Sequence, residues 1–306
     1  MAEGDEVVVN TTAVELGLGT GGWHVVHWNL ARRDWHQEGR GHVMKLRYTS
    51  LQADTGAAED EPGYEPPADL GGRPVVACFL HSQLPCVAAA FAAAAPGRRL
   101  VYVMSDGGAL PLVLSDVVAA LLDTNLVAAT VTAGHAFGGH HEAVNLASAL
   151  DVAVACAAAD VVVVAPGPGV VGTGTSRGFS GLAVASTIDA VAQAGGRPIL
   201  AVRFSESDRR ERHRGVSHHV TAALSSTSHR ALVPIPAGER PDPLPRGLAV
   251  HDLRTIEDVP DVDALLRAAG VIVTTMGRTA AEDAAFFRWS AAAGSLAAAF
   301  TVTSAP

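Results

Sequence analysis

From Pro74 onward the chain alternates between two kinds of apolar pattern. Short runs, rich in β-branched residues and apolar at consecutive positions, fall at 75–80 (VVACFL), 99–104 (RLVYVM), 126–132 (LVAATVT), 160–165 (DVVVVA), 198–203 (PILAVR) and 231–235 (ALVPI). Ala- and Leu-rich stretches of helical length separate them, at 84–95, 112–123, 142–158, 180–195 and 216–227. Strands apolar on both faces that alternate with such helices predict a parallel sheet covered on both sides. After a Pro-rich loop at 236–247 a last unit follows: strand 248–252, helix 261–269, strand 271–275 and a C-terminal helix over 281–298. The predicted fold class is α/β, a doubly wound, Rossmann-like three-layer parallel sheet over 74–306. Strand order is not legible in one sequence.

The first 52 residues follow a different grammar. Val7-Val8-Val9 and Trp23-His-Val-Val-His-Trp28 predict short strands joined by the Gly-rich turn GLGTGG, with a third strand near 42–48. This is a small N-terminal β module. Residues 53–73 are acidic, rich in Pro and Gly and without apolar period, which predicts a linker or long surface loop.

Composition narrows the class. A net charge of -9 at pH 7 excludes the excess of basic residues that non-specific nucleic-acid or acidic-membrane binding needs, so neither partner is expected. Lys45 is the one lysine; the other cationic residues are arginines. Three cysteines without metal-ligand spacing fit a reducing compartment. No apolar stretch is long enough to span a bilayer and residues 1–20 lack a signal-peptide pattern, so the expected location is cytoplasmic. The Ala-rich C-terminal helix, with Phe286, Phe287 and Trp289, is either buried in the domain or part of an interface, and a homodimer is the expectation.

In an open parallel sheet, ligands bind beyond the carboxyl ends of the strands. The polar residues of this chain fall just there: HSQLP (81–85), SDGGALP (105–111), AGHAFGGHHEAVN (133–145), APGPGVVGTGTSRGFSG (165–181) and FSESDRRERHRGVSHH (204–219). Seven histidines sit in these loops: His81, His135, His140, His141, His213, His218 and His219. Histidine titrates near neutral pH, so Asp106, His135, His218 and His219 are the candidates for proton transfer. Neutral imidazoles beside Asp106 and Glu142 would also suit zinc or manganese. Neither histidine cluster has the i, i+4 helical pairing of known zinc helices, and no metal ligand is assigned. Ser82 and Ser180 lack the setting of a nucleophile elbow, and Ser180 is expected to cap the helix after it.

The glycine stretch follows a strand, and Gly167, Gly169 and Gly172 have dinucleotide spacing. The helix comes too late, however, and the next strand ends at Arg203 rather than at an acid. A backbone anion nest formed by Gly167, Gly169, Gly172, Thr173, Gly174 and Thr175 is the better expectation. Arg209, Arg212 and Arg214 lie in a run that holds five arginines against three acids between 203 and 214, and the guanidinium fork suits phosphate or carboxylate. A mobile turn and a solvated charged loop are the plain alternatives for these two segments.

Several blocks recur together: Asn10-Thr-Thr-Ala13 with Leu16-Gly-Leu-Gly-Thr-Gly-Gly22, GHVMKLRYTSLQ (41–52), SDGGALPLVLSD (105–116), TAGHAFGG (132–139), PGVVGTGT (168–175), RHRGVSHH (212–219) and VTTMGR (273–278). In these the chain resembles an uncharacterised bacterial family known only as a domain of unknown function. Members begin further upstream, so by this resemblance the N-terminal β module reads as shortened. The resemblance implies no activity, no cofactor and no catalytic residue.

The functional expectation is an enzyme acting on a small anionic molecule, phosphorylated or nucleotide-like, at the carboxyl edge of the sheet. The alternatives are a ligand-sensing or scaffold protein without chemistry, and a metal-dependent hydrolase that uses the histidine clusters. The cofactor is left open.

Overall fold

The computed structural model describes residues 1–17, 22–36, 38–39, 41 and 43–302. Leu18–Gly21 of the expected N-terminal turn and His42 at the start of the expected third strand lie outside the described residues. The chain opens with an antiparallel pair, β1 (Val7–Asn10) and β2 (Val25–Asn29), connected through the short helix α1 (Thr12–Glu15). A second small pair joins β3 (Met44–Lys45) to β4 (Ala53–Asp54). Val8, Val9, Trp23, Val25 and Val26 of the first pair stay exposed, so this hairpin buries little apolar surface. Within 53–73, Ala57, Ala58 and Leu70 are buried, and Ala58 and Leu70 join the core that lies against the sheet.

The main domain runs β5 (Pro74–Cys78), α2 (Gln83–Ala94), β6 (Leu100–Ser105), α3 (Asp116–Asp123), β7 (Ala129–Ala133), β8 (His141–Ala143), α4 (Leu146–Ala155), β9 (Val161–Pro166), α5 (Ala183–Gln193) and β10 (Arg197–Ala201). A tight excursion, β11 (Phe204–Ser205) with β12 (Gly215–Val216), leads into α6 (His218–Leu224). β13 (Leu232–Pro236), β14 (Asp252–Ile256), α7 (Val262–Ala268) and α8 (Ala284–Val302) complete it. Eight strands form one sheet in the order β14-β13-β10-β5-β9-β6-β7-β8, with every pairing parallel. With helices on both faces, this is a three-layer, Rossmann-like α/β fold.

The alternation of side chains explains the layers. On β6, Leu100, Tyr102 and Met104 face one core while Val101 and Val103 face the other. On β9, Val161 and Val163 are divided from Val162 and Val164 in the same way. Consecutive apolar residues are therefore needed to fill both sides of one strand. α2, α7 and α8 pack together on the first core, and α8 crosses β5, β10 and β13. α4 packs on the second core and contacts α5, which contacts α6. Phe286, Phe287 and Trp289 of α8 are all buried within the chain. Gly294 allows α8 to approach α2 closely, because a methyl group there would collide with the Val87 carbonyl.

Some element boundaries move. Residues 248–250 form a 3-10 turn and the strand follows at β14. Residues 271–274 form no strand; Thr275 instead bridges back to Arg278. The expected helix over 142–158 begins with the edge strand β8, and Asn145 then caps α4 in a reciprocal capping box with Ser148.

β9 lies between β5 and β6 but follows both in sequence. The chain after β5 and β6 departs over the α2 face, whereas the chain after β9 departs over the α4 and α5 face. Such a reversal opens a crevice at the carboxyl ends, where ligands of open α/β sheets bind. The glycine stretch leaves β9 at this reversal.

Candidate functional site

The densest group of titratable side chains stands at the end of β10. Past Ala201 the chain enters β11, returns through a 3-10 turn (Glu211–His213), and pairs back through β12, with Gly215 at φ +66°. Glycine is favoured there because a Cβ is strained in that backbone region. The turn brings His213 against the first turn of α6. Ring centroids are 4.4 Å apart for His218 and His219, 4.8 Å for His213 and His219, and 4.9 Å for His213 and His218. Phe179, arriving from β9, stacks on His219 with centroids 3.9 Å apart.

Each ring but one is held by a hydrogen bond. Arg203 Nη1 donates to His219 Nδ1 at 3.0 Å, so that nitrogen carries no proton. His213 Nδ1 lies 2.7 Å from Ser217 Oγ, which also accepts from the His219 backbone N–H at 3.2 Å. His218 Nε2 is buried and has no hydrogen-bond partner among the described residues. Native proteins leave few such atoms, and each calls for a reason.

Arginines set the electrostatics. Arg203 is only 4% exposed, and burial, then neighbouring arginines, lower its pKa to about 10, so it remains a cation at neutral pH. Asp208 lies 3.8 Å from Arg203 and 3.6 Å from Arg278, and takes the fork of Arg210 at 3.0 and 2.9 Å. Burial alone would raise the Asp208 carboxyl, but the Arg210 contacts outweigh it and hold the group well below the usual carboxylate range. Burial, then Arg203, push His213 down to about 3 and His219 down to about 2. Burial and then Arg212, Arg203 and Arg210 also lower His218. The three imidazoles are neutral at pH 7 and surrounded by positive charge.

The other expected site residues are distributed along the same edge. Asp106, exposed after β6, accepts from the backbone N–H groups of Gly108 (3.4 Å) and Ala109 (3.2 Å) and so closes its own loop. His135, also exposed, follows β7 next to Gly134, which abuts Asp106. β6 and β7 stand three and four strands from β10, roughly 14 and 19 Å at about 4.8 Å per strand. The fold therefore brings the loops of Asp106 and His135 side by side and sets His218 against His219, but places the two groups at different parts of the edge. His140 serves the backbone: its Nδ1 accepts from Thr130 N–H at 3.2 Å.

The glycine stretch closes on itself. Gly172 pairs with Phe179, and Thr173 N–H donates to Gly178 O at 2.6 Å. Thr175 Oγ1 accepts from Gly178 N–H at 3.0 Å, and Thr173 Oγ1 lies 2.9 Å from it. A Cβ at Gly172 would come 2.8 Å from the Phe179 Cβ, and one at Gly178 would collide with the Thr173 hydroxyl. These two glycines thus have a steric reason within the loop. Gly167 is buried against Met104 and Leu110, while Gly169 and Gly174 are open on the surface. Ser180 does not cap α5: its hydroxyl donates to Val171 O at 3.2 Å and accepts from Val171 N–H at 3.2 Å, which ties off the loop. The first helical turn after β9 begins only at Ser180.

The match to a family of proteins of unknown function, DUF3866, covers residues 1–294. The chain belongs to that family. No curated protein and no solved structure matches it.

Of the expected anion ligands in this DUF3866 chain, Arg209, Arg212 and Arg214 are exposed at the rim of the histidine group. The residues that organise the group are others: Arg203, Asp208, His213, Ser217 and Phe179. A histidine search based on helical spacing passes over His213, because it joins the pair at 218 and 219 through a loop return rather than along a helix. Gln83 is a further omission. It is fully buried: its Oε1 accepts from Phe79 N–H (2.8 Å) and Leu80 N–H (3.2 Å), and its Nε2 donates to Ala201 O (3.0 Å). One side chain thereby satisfies the backbone where β5 and β10 part.

Among the described residues, His213, His218 and His219 form the cluster in which three ligating side-chain atoms lie within 4.8 Å of one another. Three neutral imidazoles can hold a metal ion or donate and accept hydrogen bonds, and the arginine rim favours an anion beside them.

Proposed function

We propose that this protein is an enzyme acting on a small anionic molecule, bearing a phosphate or carboxylate group, held at the carboxyl end of β10. The observation that carries the reading is the buried, unpartnered His218 Nε2 set within an arginine rim. Arg212 and Arg210 meet the anion, and His218 presents the one ring nitrogen that awaits a partner. Arg203 and Phe179 fix His219 behind it. Asp106 and His135 assist only for a ligand long enough to extend across the crevice at β9, as a nucleotide-like molecule would.

Isothermal titration with inorganic phosphate and a panel of phosphorylated and carboxylated metabolites tests the binding, and phosphorus NMR with mass spectrometry tests for turnover. Arg212→Ala and His218→Ala should each weaken binding by about 1–3 kcal/mol, the scale of a hydrogen bond to a charged group. Equal binding by the wild type and both variants, or binding without any product, would overturn the enzymatic reading.

A further inference from the structure

We propose that His213, His218 and His219 together bind one divalent transition-metal ion, zinc or a close chemical relative, at the carboxyl end of β10. The inference rests on the site reading above and deepens it, by naming what stands between the imidazoles and the anion.

Three geometric observations carry it. The ligating atoms of all three rings lie within 4.8 Å of one another. A tetrahedral ion at about 2.0–2.1 Å from each nitrogen needs them roughly 3.3 Å apart, so the rings have at most about 1.5 Å to close on binding. Second, His218 Nε2 is buried without a hydrogen-bond partner, a costly condition that coordination removes. Third, His213 is held at Nδ1 by Ser217 Oγ, at 2.7 Å, which leaves its Nε2 as the free atom. Metal-binding histidines commonly have their other ring nitrogen held by an oxygen in this way.

The chemistry of the donors chooses the ion. Three imidazoles with no thiolate suit zinc, cobalt, nickel or copper, whereas magnesium and calcium prefer oxygen. Neutral imidazole is the ligating form. Arg203 is the counterweight. Its guanidinium holds the His219 Nδ1 lone pair in the metal-free chain, so it competes with an ion for that ring, and it has Asp208 as a second partner. Three protein ligands leave at least one position of a tetrahedral ion open. An anion in that position would face Arg210 and Arg212.

The test uses the full chain, stripped with a chelator and then titrated with cobalt(II) and, separately, with zinc. The wild type should take up one equivalent, with the visible absorption of tetrahedral cobalt, and zinc should displace it. His218→Ala removes a ring that has no hydrogen bond to lose, and circular dichroism checks that it folds. It should weaken zinc binding by more than the roughly 10–100-fold that loss of an outer-shell partner costs. Substoichiometric uptake by the wild type, or unchanged affinity in a folded His218→Ala, overturns the proposal. Inorganic phosphate titrated into stripped and zinc-loaded protein separates the two readings. Phosphate binding without metal uptake rejects the metal and leaves the anion site, whereas zinc uptake with no anion bound by either form rejects the anion site alone.

Discussion

Two buried polar groups stand at opposite ends of the same sheet edge, and they are built to different ends. Beside β7, Lys45 reaches in from the N-terminal β module, only 1% exposed. Its ammonium donates to Gly134 O (2.6 Å) and Ala136 O (3.0 Å) and pairs with Glu142 at 3.5 Å. Every bond the ammonium can make there is made within the chain. Beside β10, His213 and His219 are buried and His218 is half-buried, with arginines around them, yet the buried Nε2 of His218 is left over. Glu142 Oε2 has no hydrogen bond either, but it keeps the Lys45 ammonium as its counter-ion, whereas His218 Nε2 has neither and so has room for something else.

Breaking the ion-paired cluster should have the largest effect on stability. Lys45→Met leaves Glu142 buried without its cation and two carbonyls without a donor. Removing one partner of a buried pair costs about 3–5 kcal/mol. Urea denaturation should show a loss on that scale, while phosphate titration of the folded variant should match the wild type. A loss below about 1 kcal/mol would remove the contrast between the two ends.

Gln83 comes next, because it lies beneath the crevice rather than at either end. Gln83→Leu keeps the volume but orphans the Phe79 N–H and the Ala201 carbonyl. At about 1–3 kcal/mol for each unsatisfied group, a loss of roughly 3 kcal/mol is expected. Urea denaturation of this variant at neutral pH checks it, and a loss under about 1 kcal/mol would mean that water replaces the amide.

His81 adds a pH signature to the middle of the edge. Its Nε2 meets Ser115 Oγ at 2.7 Å and its Nδ1 meets Pro166 O at 3.2 Å, and burial pushes its pKa down to about 4. The folded state therefore resists protonation that the unfolded chain accepts near pH 6.5. Stability is whole above that value and declines as pH falls from about 6.5 toward 4, by an amount on the order of 3 kcal/mol. His81→Gln should remove only that contribution, because His213 and His219, also held neutral in the fold, keep theirs. An identical slope in the variant would assign the acid sensitivity to other groups.

What the sequence shows and what it hides follow from range. The two-faced strands at 161–164 and 100–104 are legible because burial on both sides demands consecutive apolar residues, and the polar residues at their ends are legible because a parallel sheet gathers them on one edge. Their division into separate groups is not legible, because it depends on strand order: β10 and β7 stand four places apart only because β9 returns between β5 and β6. The glycine stretch shows the same limit. Its composition suits an anion nest, yet Thr173 and Thr175 turn their hydroxyls inward to close a hairpin that no spacing rule describes. The histidine cluster at 212–219 is legible as a run, but the ring contact of His213 with His218 is not, since it arises from a return at Gly215. The N-terminal hairpin was legible as strands, while the role of Lys45 as an anchor spans 89 residues to Gly134.

The smallest expected effect separates the two ends most cleanly. His135 is exposed, belongs to the Lys45 end, and lies roughly 19 Å by strand spacing from the imidazole cluster. Across that distance a neutral or singly charged ring interacts with a bound phosphate through water and salt, beyond the screening length of about 8 Å at physiological ionic strength. His135→Ala should therefore leave the affinity for inorganic phosphate within about twofold, or roughly 0.4 kcal/mol. It should also leave stability within about 0.5 kcal/mol, as surface substitutions do. A larger ligand provides the contrast. If a nucleotide-like molecule binds across the β9 crevice, its affinity should fall in His135→Ala while that of phosphate does not, and the difference between the two probes measures whether the ends work together. A weakening of phosphate itself would mean that the two groups form one site despite the strands between them.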